Sequence, residues 1–310
     1  YNAIFLGKIN IFYMNKNTCR DTEDIFARSS KVLSFSKKER EIGNDFLKSI
    51  GVVDKKYVCL LNRDGKYKEK FMTKYQSWNF SGWGYHDYRD TNIEDYKIAV
   101  NYLLKNGYKV IRMGNAAEKP LEINNDSFFD YAFSNKKSDF LDIYLMANSY
   151  FNLVSESGLK EVSLVFDVPY CSVNVATFNS AQTWKDKSII TFKKFWSIKK
   201  KSYLTFNEIK KKMDSRNKDN VGKKITGENT VHFFIDNEDI KIIDNEPDEI
   251  LDAVKEIEER LKNNKWEDEY SNLQKKFWKN FPINLNKLHG PVIRTRVSEK
   301  FLEKNRDLLK

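Results

Sequence analysis

Apolar and polar positions follow two rhythms along the middle of the chain. Four short segments, "KYVCLLN" (56–62), "YKVIRMG" (108–114), "SYFNLVS" (149–155) and "PYCSVNV" (169–175), hold nearly continuous apolar runs of strand length. Between them lie stretches with a helical period. "NIEDYKIAVNYLLKNG" (92–107) has apolar residues at 93, 96, 99, 100, 103 and 104, with Asn92 to cap it and Gly107 to end it. "KSDFLDIYLMAN" (137–148) repeats the spacing at 140, 141, 144 and 145, and "SGLKEVSLVFD" (157–167) reads as another helix. "SFFDYAF" (127–133) reads as a further strand. Strands alternating with helices of about 10–15 residues predict βαβ units and a parallel sheet. Runs without polar alternation predict strands covered on both faces. Residues 54–178 are therefore expected to form a Rossmann-like, doubly wound α/β domain.

The flanks are less regular. "SKKEREIGNDFLKSIGV" (36–52) reads as a helix capped by Ser36 and stopped at Gly51. "TVHFFID" (230–236) reads as a strand, and "PDEILDAVKEIEERLKN" (247–263) as a long amphipathic helix started by Pro247. Two more helices are expected near 267–280 and 297–309, so the C-terminal third, 229–310, is expected to pack back onto the sheet.

Composition narrows the class. The chain is 40% apolar and 14% aromatic, enough for a substantial core and against general disorder. No run of about 18 apolar residues is present, so no membrane-spanning helix is expected. The start, "YNAIFLGKINIFYMNK", is broken by Lys8 and lacks the features of a signal peptide. It also lacks an initiating Met, which suggests a fragment of a longer protein. The three cysteines, Cys19, Cys59 and Cys171, have no regular spacing, so a disulfide framework is not expected. Cys59 and Cys171 sit in strand-like runs as reduced thiols, which fits the cytoplasm.

Charge is concentrated. Residues 193–224 hold twelve Lys/Arg against Glu208, Asp214 and Asp219, a net +9 of the chain's +10. The segment 179–228 thus reads as a basic insertion. It is either a solvated lysine-rich surface or a contact for anionic membrane or an acidic substrate. Nucleic acid is not expected, because the basic residues are confined to one segment without an accompanying motif.

In open parallel sheets, ligands bind beyond the carboxyl ends of the strands. After "YVCLLN" come Arg63 and Asp64. A long loop then runs to Asp90 and contains "WGYHDYRD" (83–90), with His86, Asp87 and Arg89. After "YKVIRMG" come Arg112 and Gly114, and after "SYFNLVS" come Ser155, Glu156, Ser157 and Gly158. These residues are expected on one edge. The "SESG" turn suits an anion if its backbone N–H groups open a helix, and a plain helix cap is the alternative. Arginines after two other strands favour a diphosphate. No G-x-G-x-x-G or G-x-x-x-x-G-K-[ST] occurs at the right place, which disfavours dinucleotide cofactors and P-loop chemistry. No Cys/His spacing fits zinc, so no metal site is expected. His232, in an apolar run, reads as structural.

The ordered set "VCLLNRD", "YHDYRDTNIEDY", "GYKVIRMG", "DYAFSNKKSDFLDIYLMANSYFNLVSESGL" and "VPYCSVN" resembles a group of bacterial surface-polysaccharide glycosyltransferases of GT-B type. "LTFNEI", "NEPDEILDAVKEIEERL" and "FLEKNRDLL" look like that group too, so the resemblance covers about residues 35–308. "FLDIYLMANSYFNLVSESGL" is more distantly similar to the donor-binding part of α1,6-fucosyltransferases. The resemblance implies that 54–178 is the donor domain and that 1–53 is a remnant of, or link to, a truncated or reduced N-terminal acceptor domain. It implies a nucleotide-sugar donor, no metal or other cofactor, and a glycan or lipid-linked glycan acceptor. Arg63, Arg89, Arg112, Gly114, Ser155, Glu156, Ser157 and Gly158 are the candidates for donor binding. Asp64, His86 and Asp87 are the candidates for the acceptor base. The expected location is cytoplasmic, with peripheral contact at the inner membrane face through 193–224. The alternative function is a non-catalytic module binding nucleotide sugar or glycan.

Overall fold

The computed structural model describes residues 33–52, 54, 56–72, 84–178, 181–219, 239–267, 269–282 and 293–310. Helix α1 (Lys37–Ser49) opens with a capping box, in which the Glu39 N–H donates to Ser36 Oγ and the Ser36 N–H to the Glu39 carboxylate. Strand β1 (Tyr57–Leu61), helix α2 (Lys66–Met72) and two 3-10 turns, Gly84–Arg89 and Ile93–Tyr96, lead to α3 (Lys97–Lys105) and β2 (Lys109–Arg112). Next come β3 (Phe128–Asp130), α4 (Asp139–Asn148), β4 (Phe151–Val154), α5 (Glu161–Val165), β5 (Tyr170–Val175) and β6 (Ser188–Phe192). The chain continues through β7 (Lys194–Ser197), β8 (Ser202–Tyr203), α6 (Phe206–Asp219) and β9 (Ile240–Ile243). It then forms α7 (Pro247–Asn263), α8 (Asn272–Lys279), β10 (Arg296–Val297) and α9 (Glu299–Lys304).

Seven strands form one sheet in the order β3-β2-β1-β4-β5-β6-β10, and every pairing in it is parallel. From β1 the chain winds outward to β2 and β3, then returns to β4 on the other side of β1. The strand order reverses there. Pleating sends Val58 and Leu60 of β1 into a core with α3 and α7, and Tyr57, Cys59 and Leu61 into a second core with α1 and α4. Burial on both faces accounts for the unbroken apolar run. The protein is thus an α/β fold with a Rossmann-like sheet. Among the described residues, no helix is long and apolar enough to cross a membrane.

The sheet does not stop at residue 178. Strand β6 comes from the segment expected to be a basic insertion, and β10 from the C-terminal region. Residues 188–192 are all buried, so their packing is that of a central strand. Lys193 and Lys194 are buried too, against Asp244 and Glu249, and so are not part of a solvated surface. The exposed part of the basic segment begins at Ile198–Lys201, in the turn between β7 and β8. Residues 220–224 and the expected strand 230–236, with His232, lie outside the described residues, as do Cys19 and the first 32 residues. A small antiparallel sheet, β8-β7-β9, joins Lys194–Ser197 to Ile240–Ile243.

The boundary at 53 does not separate α1 from the sheet. A Cβ on Gly43 would lie 2.2 Å from the Tyr144 ring, so α1 meets α4 at a distance that only glycine allows. The Tyr144 hydroxyl also donates to the Arg40 carbonyl and to Asn44 Oδ1. Two expected elements are shorter than their patterns. The strand at 127–133 ends at Asp130 in a 3-10 turn, and the helix at 157–167 divides into a 3-10 turn, Gly158–Lys160, and five-residue α5.

Candidate functional site

A cavity of about 510 Å³ opens beside the carboxyl ends of β1 and β4, where the strand order reverses. Such reversal points leave a crevice because the connections on either side lead away in opposite directions. The walls are built by Asn62, Arg63, Asp64 and Tyr67 after β1, by Gly114, Asn115 and Ala116 after β2, and by Ser157, Gly158 and Leu159 after β4. Asp139 and Asp142, in the first turn of α4, close the other side.

Arg63 is the most constrained of these residues. Its main-chain N–H donates to Ser155 Oγ at 2.7 Å, which ties the β1 loop to the β4 loop. Its Nε donates to Asp90 Oδ1 at 2.8 Å, and Nη1 to the Glu156 carbonyl at 3.4 Å. The remaining nitrogen, Nη2, is buried and has no hydrogen-bond partner among the described residues. The Ser157 hydroxyl is in the same condition, and Ser157 caps its 3-10 turn without a side-chain bond. Buried donors without partners carry a desolvation cost of about 1–3 kcal/mol each, more for charged groups. Both residues belong to the lining of the cavity.

The other expected residues divide into supports and lining. Ser155 is fully buried and serves the Arg63 backbone. Glu156, 1% exposed, does not face the cavity. Its carboxylate accepts the Ala176 and Thr177 N–H groups and the Thr177 hydroxyl, so it fastens the end of β4 to the end of β5. Arg89 sits 3.8 Å from that carboxylate and donates to the Glu156 carbonyl, a supporting position. Arg112 is fully buried at the end of β2, where it donates to the Lys119 carbonyl and to Asp130. It does not line the cavity, because its strand position turns it under the β2–β3 edge. Gly114 does line it, with φ +147, a backbone region closed to other residues.

Asp64 lines the cavity, but both of its oxygens accept backbone N–H groups, from Lys66 at 3.1 Å and Glu118 at 3.0 Å. It anchors two loops. Asp87 is exposed in the turn Gly84–Arg89. His86 contributes its backbone to that turn, and its imidazole lies outside the described residues, as do Trp83 and residues 73–82.

Sequence reasoning missed three groups. Asp142 lines the cavity, and burial pushes its carboxyl above the usual range. The Tyr131 hydroxyl opposes that rise, Asp139 adds to it and Lys137 opposes it. Its Oδ1 has no hydrogen-bond partner among the described residues. The signal was present: Asp139 and Asp142 are three apart on a helix that begins at the functional edge. Tyr67 also lines the cavity, and nothing in its local pattern marked it. Lys193, 3% exposed, donates to the Asp90 carbonyl at 2.7 Å and pairs with Asp244 at 2.6 Å. It braces Asp90, which in turn holds Arg63. Its place in a lysine run hid this role.

Among the described residues no group of His, Cys, Asp and Glu side chains is arranged to hold a metal ion. Comparison with protein families, curated proteins and solved structures gives no match for this chain.

Proposed function

We propose that the chain is a glycosyltransferase of GT-B type that takes a nucleotide-sugar donor at the β1–β4 cavity. One observation carries this reading: Arg63 and Ser157, whose Nη2 and Oγ are buried without hydrogen-bond partners among the described residues, are both lining residues of the cavity. A donor diphosphate supplies the acceptor oxygens both groups lack. A charge-assisted bond to a phosphate oxygen is about twice as strong as a neutral one. The carboxylates of Asp139 and Asp142 are on the α4 side, so the diphosphate belongs at the Arg63 end and the sugar hydroxyls at the α4 end.

In the transfer, the acceptor oxygen attacks the anomeric carbon and its bond to the diphosphate oxygen breaks. The leaving diphosphate takes the electron pair, and Arg63 stabilises the charge it gains. The acceptor proton passes to a carboxylate. Asp142 suits this role better than Asp64, because its raised pKa favours proton uptake while both Asp64 oxygens already accept backbone N–H groups. His86 and Asp87 remain candidates for the same role. The acceptor proposed is a glycan or lipid-linked glycan, with the exposed lysines at 199–201 as the contact to an anionic membrane face.

One observation favours the alternative of a binding module without chemistry: Asp64, the base best fixed by the sheet, is engaged with backbone N–H groups. The test is calorimetric titration with nucleoside diphosphates and nucleotide sugars, followed by an assay for released diphosphate. Absence of nucleotide binding overturns both readings. Binding without turnover across glycan acceptors selects the module.

A further inference from the structure

Lys193 is a buried ammonium that stability does not explain. It is 3% exposed and directly follows β6, and its main-chain N–H donates to the Val175 carbonyl at 3.0 Å. Its Nζ pairs with Asp244 Oδ1 at 2.6 Å and donates to the Asp90 carbonyl at 2.7 Å. Taking an ammonium out of water is costly, and apolar residues in place of a buried ion pair are often neutral or stabilising. An ammonium can hold a carbonyl, which an apolar side chain cannot. Lys193 and Asp244 stand side by side at one end of the small sheet, because β7 begins at Lys194 and pairs there with Ile243. Neither residue is part of the cavity lining.

The carbonyl held by Lys193 belongs to the residue that fixes Arg63. Asp90 Oδ1 accepts from Arg63 Nε at 2.8 Å. The peptide group that follows carries the Asp90 carbonyl on one edge and the Thr91 N–H on the other, and this N–H donates to the Arg63 carbonyl at 2.9 Å. A peptide is planar, so a bond at the carbonyl fixes the direction of the N–H. Lys193 therefore orients a single peptide group that grips the Arg63 main chain, next to the carboxylate that grips its side chain. The β5–β6 pairing shifts register between Ser172 and Val175, at Asn174 with φ +59. Such bulges are rare in parallel pairs and re-aim side chains beside sites. This one directly precedes Val175, the residue to which the Lys193 main chain is bonded.

We infer that Lys193, held by Asp244, is a positioning residue for Arg63 and sets the affinity of the β1–β4 cavity for an anionic ligand from outside it. For the identity of that ligand, a nucleoside diphosphate, the inference rests on the glycosyltransferase reading. An arginine fixed before binding loses less freedom when it binds. Without Lys193 the Asp90 peptide can turn, the carboxylate leaves Arg63 Nε, and the guanidinium must be ordered by the ligand itself. The effect of Lys193 then passes through Arg63, whereas a residue that merely stabilises the fold has no such dependence.

The test is a double-mutant cycle on the whole chain, read by calorimetric titration with uridine and guanosine diphosphates. Lys193→Met, which keeps an unbranched chain without the charge, should weaken binding about three- to tenfold. In the Arg63→Ala background the same substitution should change affinity by less than about twofold. Asp244→Asn, at a partly exposed position, should weaken binding in the same direction and lose its effect in the same background, so it serves if Lys193→Met does not fold. A second readout needs no nucleotide. The Arg63 Nε–H proton signal, assigned by its absence in Arg63→Ala, should exchange with solvent at least about tenfold faster in Lys193→Met, while the amide protons of β1 and β4 keep their rates. Parent-like affinity in both variants, an equal loss with and without Arg63, or unchanged Nε–H exchange would each overturn the inference. A parent chain that binds neither nucleotide would overturn the donor-site reading instead, and Nε–H exchange would then decide the positioning role by itself. It also decides if Arg63→Ala binds too weakly to complete the cycle.

Discussion

Asn174 and Asn245 exchange hydrogen bonds in both directions. The Asn174 N–H donates to Asn245 Oδ1 at 2.8 Å, and the Asn245 N–H donates to Asn174 Oδ1 at 2.6 Å. Asn245 Nδ2 also donates to the Phe192 carbonyl, and Thr191 Oγ1 donates to Asn245 Oδ1. Both asparagines are buried, and Asn174 adopts φ +59, a left-handed conformation that asparagine tolerates. One side chain therefore joins β5, β6 and the entry to α7. Its neighbour Asp244 holds Lys193, which reaches Asp90 at the cavity edge. Asn245→Ala leaves several buried polar groups without partners and should destabilise the fold by about 2–4 kcal/mol. Urea unfolding checks this, and a loss below about 0.5 kcal/mol would mean water replaces the lost bonds.

Arg63→Ala should weaken nucleoside-diphosphate binding by roughly 1.5–3 kcal/mol, the scale of a hydrogen bond to a charged group. Arg63→Lys should recover only part of that, because an ammonium cannot reach Asp90, the Glu156 carbonyl and a phosphate oxygen together. Unchanged affinity in the alanine variant, measured by calorimetry, would move the diphosphate out of this cavity.

Asp142 makes a pH-dependent contribution of definite sign. Its pKa is raised in the folded chain, so the folded state holds the proton over a range where the unfolded state has lost it. Stability from this group is present below the ordinary aspartate range and falls as pH rises through the raised value. Asp142→Asn should therefore be more favourable, relative to the parent, at pH 7 than at pH 4. Denaturant titrations of both proteins at the two pH values read this difference. A difference of the opposite sign would remove burial as the dominant influence. If Asp142 also takes the acceptor proton, the same variant should lose turnover while keeping nucleotide binding.

Cys59 and Cys171 are fully buried free thiols, and burial pushes both pKa values up. Neither should react with iodoacetamide in the native chain at pH 8, and both should react after denaturation. Peptide mapping by mass spectrometry distinguishes them from Cys19. Native labelling at either position would indicate local opening of β1 or β5.

The turn Ile198–Lys201 exposes an isoleucine beside three lysines, with Tyr203 exposed nearby. Replacing Lys199 and Lys201 with Gln should weaken sedimentation with phosphatidylserine vesicles by about 1 kcal/mol per lysine. Neutral vesicles should bind neither protein. Equal sedimentation of parent and variant would make this a solvated turn.

The sheet was legible because its signal is physical and local. The run at 57–61 is apolar throughout because helices cover both faces, the run at 170–175 is buried at every position, and all six apolar positions of 92–107 are buried. Strands β6 and β10 were not legible. Ser188 and Thr191 dilute the first, and two residues are too few to carry a period in the second. Arg63, Asp64, Gly114, Ser157 and Gly158 were placed on the cavity by the rule that loops follow strands. Arg112 was misplaced by the same rule, because the last residue of a strand still obeys the pleat. Glu156 looked like a turn residue, because nothing nearby in sequence announces Thr177, 21 positions on.

Strand β6 needs β10 on its outer side, and about a hundred residues separate the two in the chain. At synthesis rates of about 5–20 residues per second, the outer edge of β6 stays open for about 5–20 s after it emerges. During that interval its backbone donors and acceptors are a template for any extended segment nearby. Yield during expression should then depend on translation speed across residues 193–295 more than on final stability. Slower codons placed there would lengthen the exposure and favour aggregation of the nascent chain.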